Sequence, residues 1–308
     1  MSFSILGTGS TLGSVVKTNN DLAKYLDTSD QWIKSKTGIE ERRFLGDETL
    51  MDLAEKAAIE ALKMADLDSE QLDLIICATV SSEYKSPSLA CIVQKRLKAK
   101  CPAFDVNAGC SGFIYGLDIA DSYFLKNDNM KILVIGADAV SRIMDKNDRS
   151  TAVLFGDGAG ACVLGKGNGL KAITTSAKGN IDYLFVPDKD GEFLQMQGQK
   201  VFQFAVSTMM RDIKRVLKIA NLKNDDVDYY LPHQANMRII EFAIDRLQVN
   251  REKFLTNMQK LGNTSAASIP VLLDENVRSG KIKNRDTLVM AAFGAGLTSA
   301  ASVINWEL

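Results

Sequence analysis

Three side chains of this sequence could act together as a cysteine-dependent catalytic group. Cys110 lies between glycines in NAGCSGF at the start of a predicted helix, where the positive end of the helix dipole favours a thiolate nucleophile. His233, in LPHQAN, is the only histidine, so any mechanism that uses an imidazole must use it. Asn263, in LGNTSAAS, could supply an amide donor or serve as an ordinary helix N-cap. The sequence therefore predicts a cysteine nucleophile assisted by a histidine and an asparagine.

Strands and helices alternate along the chain around these residues. Apolar runs of strand type are FSILGTG at the start, LDLIICATV (72–80), CPAFDVNAG (101–109) and KILVIGAD (131–138). Helical spacing of apolar residues marks 47–67 and 110–127, and AVLFGDGAGACVLG (152–165) predicts two extended runs joined by a glycine-rich turn. This order is typical of an α/β fold with mostly buried strands.

The second half of the sequence repeats the pattern of the first. EALKMADLDSEQLDLIICAT aligns with RVLKIANLKNDDVDYYLPHQ at an offset of 155 residues. GCSGF aligns with GNTSA at an offset of 153, which places Cys110 and Asn263 at the same position of the two copies. We expect two duplicated α/β halves, 1–165 and 166–308, whose strand ends bring the three candidate side chains together.

Composition and charge exclude several classes of function. The formal net charge is −1 and the pI about 6.0, so we expect no global attraction to nucleic acid or to a membrane surface. No apolar run approaches the roughly 18 residues of a membrane span, and we expect no signal peptide. The five cysteines occupy strand-like and helix-like contexts, which predicts a reduced, cytoplasmic protein. No metal-ligand spacing appears, so no metal site is expected.

Two glycine-rich segments superficially resemble phosphate-binding loops. GTGSTLG (7–13) follows a strand but lacks the dinucleotide-loop spacing and an obvious helix, and we interpret it as a tight turn. FGDGAGA (155–161) has no following GK[ST], and we interpret it as a hairpin or bulge. Neither segment predicts a nucleotide site.

Four ordered motifs carry a resemblance to a known family. NAGCSGF, LPHQANMRI, GNTSAASIP and AFGAGLTSA resemble the signatures of the β-ketoacyl-acyl-carrier-protein synthase III group, within the thiolase-like condensing enzymes. The resemblance extends over the full length, including TSDQWIKSKTGIEER (28–42) and RSTAVLFGDGAGACVL (149–164). It implies a thiolase-like fold in α-β-α-β-α layers, and decarboxylative condensation of an acyl-CoA with malonyl-acyl carrier protein. It also implies a homodimer that needs no cofactor.

The resemblance assigns roles around the nucleophile. Cys110 resembles the acyl-accepting cysteine, while His233 and Asn263 resemble the pair that holds the malonyl thioester oxygen as carbon dioxide leaves. The backbone N–H groups of Cys110 and Ala295 resemble an oxyanion hole, and Phe293 matches an aromatic residue beside the cysteine.

Further from the nucleophile, the resemblance implies sites for the two substrates. Trp32 and Arg149 match positions that clamp the CoA adenine from both faces, since an indole and a guanidinium both stack on a flat base. Arg238 matches a basic residue proposed to meet the acidic carrier protein. Ser86 and Ser299 depart from the bulky aromatic residues common in the family, which indicates a different acyl pocket or carrier.

Three other functions stay open at this point. An acyltransferase that forms an ester or amide could use His233 as a general base on the same fold. A Cys–His–Asn hydrolase uses the same residue types. A non-catalytic binding subunit is the third alternative. The acyl starter, the extender and the pathway, fatty-acid initiation or secondary metabolism, are not fixed by the sequence.

Overall fold

The computed structural model describes residues 2–187 and 191–308. Its first half contains β1 (Ser2–Leu12), β2 (Val15–Thr18), α1 (Asn19–Leu22), α2 (Asp30–Thr37), β3 (Glu41–Phe44), α3 (Leu50–Met64), β4 (Leu74–Ala78), α4 (Leu89–Leu97), β5 (Ala103–Val106), α5 (Gly112–Phe124), β6 (Ile132–Ala139), α6 (Arg149–Ala152) and β7 (Asp157–Gly167). Its second half contains β8 (Leu170–Asn180), β9 (Leu184–Phe185), β10 (Gln195–Met196), α7 (Gly198–Ile219), β11 (Tyr229–Pro232), α8 (Met237–Leu247), α9 (Met258–Leu261), α10 (Ser268–Arg278), β12 (Thr287–Gly294) and β13 (Gly296–Asn305).

The buried apolar strands form two sheets of mixed direction. The first sheet has the order β1-β7-β6-β4-β5, in which β4 is parallel to both β5 and β6 while β7 is antiparallel to its neighbours. The second sheet has the order β11-β12-β13-β8, with β11 and β12 parallel and the remaining pairs antiparallel. Cys110 follows β5 and His233 follows β11, so both candidate residues lie just beyond the ends of parallel strands.

Helices and sheets stack in five layers. α3 and α4 cover the outer face of the first sheet through a buried cluster that includes Ala57 and Ile75. α5 and α10 lie between the two sheets in the largest apolar cluster, with Phe113 and Leu272 among its members. α7 and α8 cover the outer face of the second sheet, where Ile213 is buried. The predicted α/β class with duplicated, layered halves is confirmed.

The element order repeats between the halves with a nearly constant spacing. β6 begins at Ile132 and β12 at Thr287, 155 residues later, and α5 and α10 begin at Gly112 and Ser268. Short 3₁₀ turns precede both central helices, Gly109–Ser111 before α5 and Ser265–Ala267 before α10. The predicted division at residues 165 and 166 stays a prediction.

Two of the three glycines of GTGSTLG, Gly7 and Gly9, lie in a strand and not in a tight turn. β1 runs through Leu12, so the expectation of a turn at 7–13 is wrong. A Cβ atom added to Gly9 would lie 2.3 Å from the backbone oxygen of Ala57 on α3. Glycine is needed here because the helix packs directly on the strand backbone.

The second glycine-rich segment, 155–161, is likewise no hairpin. After the short helix α6, β7 begins at Asp157 and continues unbroken, so the two extended runs predicted for 152–165 are not found. A Cβ atom on Gly160 would lie 2.7 Å from the backbone nitrogen of Val271 on α10. The alternating small residues therefore let α10 approach this strand closely. The segment is rich in glycine, as turns are, but it does not form one.

No helix in the described ranges is long and apolar enough to cross a bilayer. All five cysteines are free thiols in this structure: Cys77, Cys91, Cys101, Cys110 and Cys162.

Candidate active site

Cys110 lies in the middle of the 3₁₀ turn that leads into α5. The helix itself begins two residues later than predicted, at Gly112. Burial raises the pKa of the Cys110 thiol to about 12, and a hydrogen bond from the Ser265 hydroxyl opposes that rise. The helix dipole therefore does not make the resting cysteine a thiolate, and the free sulfur is a protonated thiol at neutral pH.

The backbone around Cys110 packs against the end of β12. A Cβ atom on Gly109, whose φ is +54°, would lie 2.6 Å from the nitrogen of Ala295, and one on Gly294 would lie 2.4 Å from the nitrogen of Cys110. Glycine is required at both positions because the two backbones touch. This contact brings the amide groups of Cys110 and Ala295, the predicted oxyanion hole, side by side.

His233 follows β11 and is 1% exposed. Its backbone N–H donates to the oxygen of Ala291 at 2.8 Å, and its Nδ1 lies 2.7 Å from the Oγ atom of Ser268. The same Oγ accepts from the backbone N–H of Gln234 at 3.5 Å, so the serine hydrogen can point at Nδ1. With the serine as the donor in this pair, the ring hydrogen is on Nε2, which leaves that atom as a donor.

Burial also sets the charge of the imidazole. It lowers the pKa of His233 from 6.5 to about 3, so the ring is neutral at physiological pH. The edge of the ring meets Phe293, with 5.2 Å between centroids and 73° between planes. An aromatic neighbour and low polarity thus keep the histidine a neutral hydrogen-bond donor and a weak base.

Asn263 is fixed by both its backbone and its side chain. Its N–H donates to Leu154 at 2.8 Å, and its carbonyl accepts from Gly156 at 3.0 Å. Its Oδ1 accepts from the backbone N–H of Ser265 at 2.8 Å. Because the oxygen of the amide is occupied, the Nδ2 hydrogens are the groups left to bind a substrate atom.

These three side chains line one cavity, together with Phe293. Most other walls of the cavity are apolar: Leu154, Phe155, Leu184, Met196, Val201, Phe202 and Ile239. The sulfur of Cys110 shares a mostly apolar cavity with two neutral N–H donors, and hydrogen bonds to a developing negative charge are strong in such surroundings. The arrangement suits the stabilisation of an enolate or an oxyanion.

Cys110 and Asn263 do not occupy equivalent positions of the two halves, contrary to the alignment of GCSGF with GNTSA. The turn Gly109–Ser111 corresponds to Ser265–Ala267, so the equivalent of Cys110 is Ala266. The equivalent of Asn263 is Asn107, whose Oδ1 likewise accepts from the N–H two residues on, at 3.4 Å. The repeat therefore brings Cys110 and Asn263 to the interface between the two halves, although they are not at equivalent positions.

Comparisons with known proteins agree with this geometry. Residues 104–179 match the family described as 3-oxoacyl-[acyl-carrier-protein (ACP)] synthase III, and residues 217–306 match its C-terminal part. The β-ketoacyl-[acyl-carrier-protein] synthase III of Aquifex aeolicus is 46% identical and aligns over 99% of this chain and 100% of its own length. The chain belongs to the 3-oxoacyl-[acyl-carrier-protein] synthase III family.

Solved structures give the same result. The Aquifex aeolicus enzyme superimposes with a TM-score of 0.95, covering 99% of this chain and 100% of that chain. The 3-oxoacyl-(acyl carrier protein) synthase III of Pseudomonas aeruginosa gives 0.96 at 37% identity, covering 100% and 99%. The priming β-ketosynthase of the R1128 polyketide pathway gives 0.94 at 30% identity, covering 99% and 96%. As a member of this family, the chain is a condensing enzyme of the acyltransferase type.

Trp32 and Arg149, the residues that the synthase III resemblance assigns to the CoA adenine, contact each other. The guanidinium carbon of Arg149 lies 4.8 Å from the centre of the Trp32 ring. Arg149 also donates to the backbone oxygen of Asp27 at 2.7 Å. A base inserted between indole and guanidinium needs about 7 Å, two van der Waals separations, so adenine could enter only if Arg149 moves outward.

Arg238 is exposed on the first turn of α8, near the mouth of the cavity. Its guanidinium carbon lies 5.7 Å from the ring centre of Phe202, which lines the cavity. A positive charge at this place could meet an acidic carrier protein as its prosthetic group enters, which is the role expected in a synthase III. Ser299, a departure from the family pattern, accepts from Arg211 at 3.1 Å.

The sequence reasoning missed three residues that contact the catalytic group or hold the turn beside it. Ser265 and Ser268 lie in the recognised motif GNTSAASIP, and the second fixes the tautomer of His233 as described above. Asp138 ends the strand KILVIGAD and accepts a hydrogen bond from the backbone N–H of Ala266 at 3.2 Å. Their positions within or beside these motifs could have identified them. Within the described ranges, no group of three His, Cys, Asp or Glu side chains could hold a metal ion.

Proposed function

We propose that this protein condenses an acyl-CoA with malonyl-acyl carrier protein, using Cys110, His233 and Asn263. The observation that carries the proposal is the shared cavity, in which the cysteine sulfur faces two neutral donors. The relatives named above are β-ketoacyl- or 3-oxoacyl-acyl-carrier-protein synthases III, and their names support the carrier-bound substrate.

In the first half-reaction the acyl group moves to the enzyme. The Cys110 sulfur attacks the thioester carbonyl of acyl-CoA, the bond to the CoA sulfur breaks, and the cysteine proton ends on the departing CoA thiol. The adjacent amides of Cys110 and Ala295 would hold the oxyanion of the tetrahedral intermediate. Phe293 and the apolar walls keep water from the acyl-cysteine.

In the second half-reaction the malonyl group loses carbon dioxide. The bond to its carboxylate breaks and the electron pair forms an enolate, whose oxygen accepts hydrogen bonds from Nε2 of His233 and Nδ2 of Asn263. The enolate carbon then attacks the acyl-cysteine carbonyl, and the cysteine leaves as a thiolate that takes one proton from solvent. The products are a 3-oxoacyl-carrier protein and carbon dioxide.

The low basicity of His233 favours this reaction over the alternatives. A general base for ester, amide or hydrolytic chemistry needs a pKa near the working pH. Burial lowers the pKa of His233 to about 3, which makes the ring a poor base and leaves it a good neutral donor. The alternatives of a transferase with a histidine base and of a Cys–His–Asn hydrolase therefore have less support.

We also propose that two copies associate through the first sheet and that the protein acts in the cytoplasm. β5 is an edge strand, and its outer hydrogen-bonding groups are suited to pairing with a second copy. Free cysteines fit a reducing compartment. Sedimentation at several concentrations tests the dimer, and a monomer at micromolar concentration would contradict it.

The first experiment is intact-protein mass spectrometry after incubation with a panel of acyl-CoAs. We expect one acyl group per chain, and the best donor in the panel identifies the starter. Cys110→Ala should gain no mass. Cys91→Ala, which removes an exposed cysteine, is the matched control and should load normally.

Three outcomes would contradict the proposal. Loading of Cys110→Ala would place the acyl group elsewhere. Loading only from an acyl-carrier protein would replace the proposed CoA donor, and rapid release of free acid without condensation would point to the hydrolase.

A further inference from the structure

The two turns before the central helices share a rare backbone conformation. Gly109 has a φ of +54° in the first half, and Ser265 has a φ of +53° in the second. Glycine adopts this left-handed conformation without steric cost, whereas a serine is strained by its Cβ. A strained non-glycine residue beside a nucleophile suggests that its side chain is functional.

The hydroxyl of Ser265 lies beside the sulfur of Cys110. Its oxygen lies 3.4 Å from the Sγ atom, with the hydroxyl as donor. Ser265 is 2% exposed, so the contact is shielded from water.

Asp138 holds the turn that carries this hydroxyl. The side chain is fully buried at the end of β6, and its Oδ1 accepts from the backbone of Val80 at 2.8 Å, from Ser81 at 2.7 Å and from Thr79 at 3.1 Å. Its Oδ2 accepts from the backbone of Ala266 at 3.2 Å. These donors fix the carboxylate of one half against the turn of the other half.

We propose that Ser265 is a further catalytic residue, whose hydroxyl, on a turn held by Asp138, donates a hydrogen bond to the Cys110 sulfur whenever the thiolate forms. The acylation part of this role rests on the function proposed above. The thiolate appears twice in that reaction, as Cys110 attacks the acyl donor and as it leaves the finished product. A single donor at the sulfur assists both steps.

The charged groups around the sulfur explain why such a donor is needed. Burial raises the pKa of Cys110, the Asp138 charge on β6 raises it further, and the Ser265 hydrogen bond lowers it. His233, at the end of β11, faces the same cavity as a neutral ring and supplies no positive charge. The thiolate therefore relies on neutral donors and on the start of α5.

The test is the pH dependence of Cys110 alkylation by iodoacetamide, followed by mass spectrometry with Cys110→Ala as the blank. Ser265→Ala removes the hydroxyl and keeps the strained backbone, while Ser265→Gly removes both. We expect both variants to raise the thiol pKa by about one unit and to slow alkylation about tenfold below it, as for the loss of a hydrogen bond to a charged group. Thermal melting should place Ser265→Gly above Ser265→Ala, since only glycine relieves the strain.

Ser141→Ala is the matched control. Ser141 likewise carries a buried hydroxyl that acts as a hydrogen-bond donor, but it donates to the carboxylate of Asp157 at 2.5 Å, whereas Ser265 donates to the sulfur of Cys110. This variant should change the melting temperature without moving the alkylation profile. Ser265 variants whose profiles overlay the wild type would overturn the proposal, whatever their stability.

Alkylation needs neither acyl-CoA nor carrier protein, so the test is independent of the proposed function. A shifted profile in a protein that no acyl-CoA loads would refute the proposed acyl-CoA donor and leave the role of Ser265 at the sulfur intact. Normal acyl loading with an unshifted alkylation profile would support the proposed acyl-CoA donor and refute the role of Ser265.

Discussion

The two turns that lead into the central helices have nearly the same backbone and different chemistry. In the first half Asn107, Gly109 and Cys110 occupy the positions that Asn263, Ser265 and Ala266 occupy in the second. The first turn carries the proposed nucleophile directly after a strain-free glycine, and the second carries the proposed amide and hydroxyl donors. In the proposed mechanism, the two copies of one scaffold thus divide the roles of nucleophile and stabiliser between them.

The largest effect should come from removing the nucleophile. Cys110→Ala should lower condensation by about 10⁴-fold or more, because no other group can carry the acyl intermediate. Decarboxylation of malonyl-carrier protein should survive, since His233 and Asn263 remain. Rates of carbon dioxide release and product formation, measured separately, check this.

Moving the cysteine to the second turn tests whether the two turns are interchangeable. Ala266 is the equivalent position, but it is 1% exposed and its N–H is bound to Asp138. The double variant Cys110→Ala, Ala266→Cys should therefore gain no acyl mass from acyl-CoA. Acylation of the new cysteine would mean that the two turns are interchangeable.

The two asparagines offer the next contrast. Asn263→Ala should slow decarboxylation by about 10²–10³-fold, the usual cost of losing an oxyanion donor, with little effect on acyl loading. Asn107→Ala, the control in the equivalent turn, should change decarboxylation by no more than about threefold. Equal losses in acyl loading and decarboxylation for Asn263→Ala would contradict the proposal that Asn263 acts only in decarboxylation.

Substitutions at Gly109 and Ser265, the two turn residues with positive φ, should differ in their effect on stability. Gly109→Ala combines a positive φ with a contact of 2.6 Å to the nitrogen of Ala295, so we expect a loss of about 2–4 kcal/mol in unfolding free energy. Ser265→Gly should change the unfolding free energy by no more than about 1 kcal/mol. Denaturant titrations of the two variants compare them directly, and equal losses would show that Ser265 contributes packing instead of chemistry.

The sequence predicted the residues of the site better than their relation to one another. Cys110, His233 and Asn263 stand in motifs that identify the family, and the α/β order follows from apolar patterning. The alignment failed because it matched Gly109 with Gly262, which also has a positive φ of +65° but ends α9 instead of opening a turn. The contacts of Ser265 and Asp138 depend on how the two halves stack, and no local pattern encodes that.

The smallest effect should be a pH dependence of stability contributed by His233. Burial lowers the pKa of this ring from 6.5 to about 3 in the folded protein, so between these values the unfolded chain binds a proton that the folded chain does not. The folded state therefore loses stability as the pH falls, by about 2 kcal/mol between pH 7 and pH 5. His233→Gln should remove this part of the slope, since it is the only histidine, while the carboxylates contribute equally to both proteins. Identical slopes in urea titrations at pH 5 and pH 7 would mean that the ring takes up a proton in the folded state. A charged ring would remove the main reason for assigning His233 as a neutral donor and would bring the general-base alternatives back.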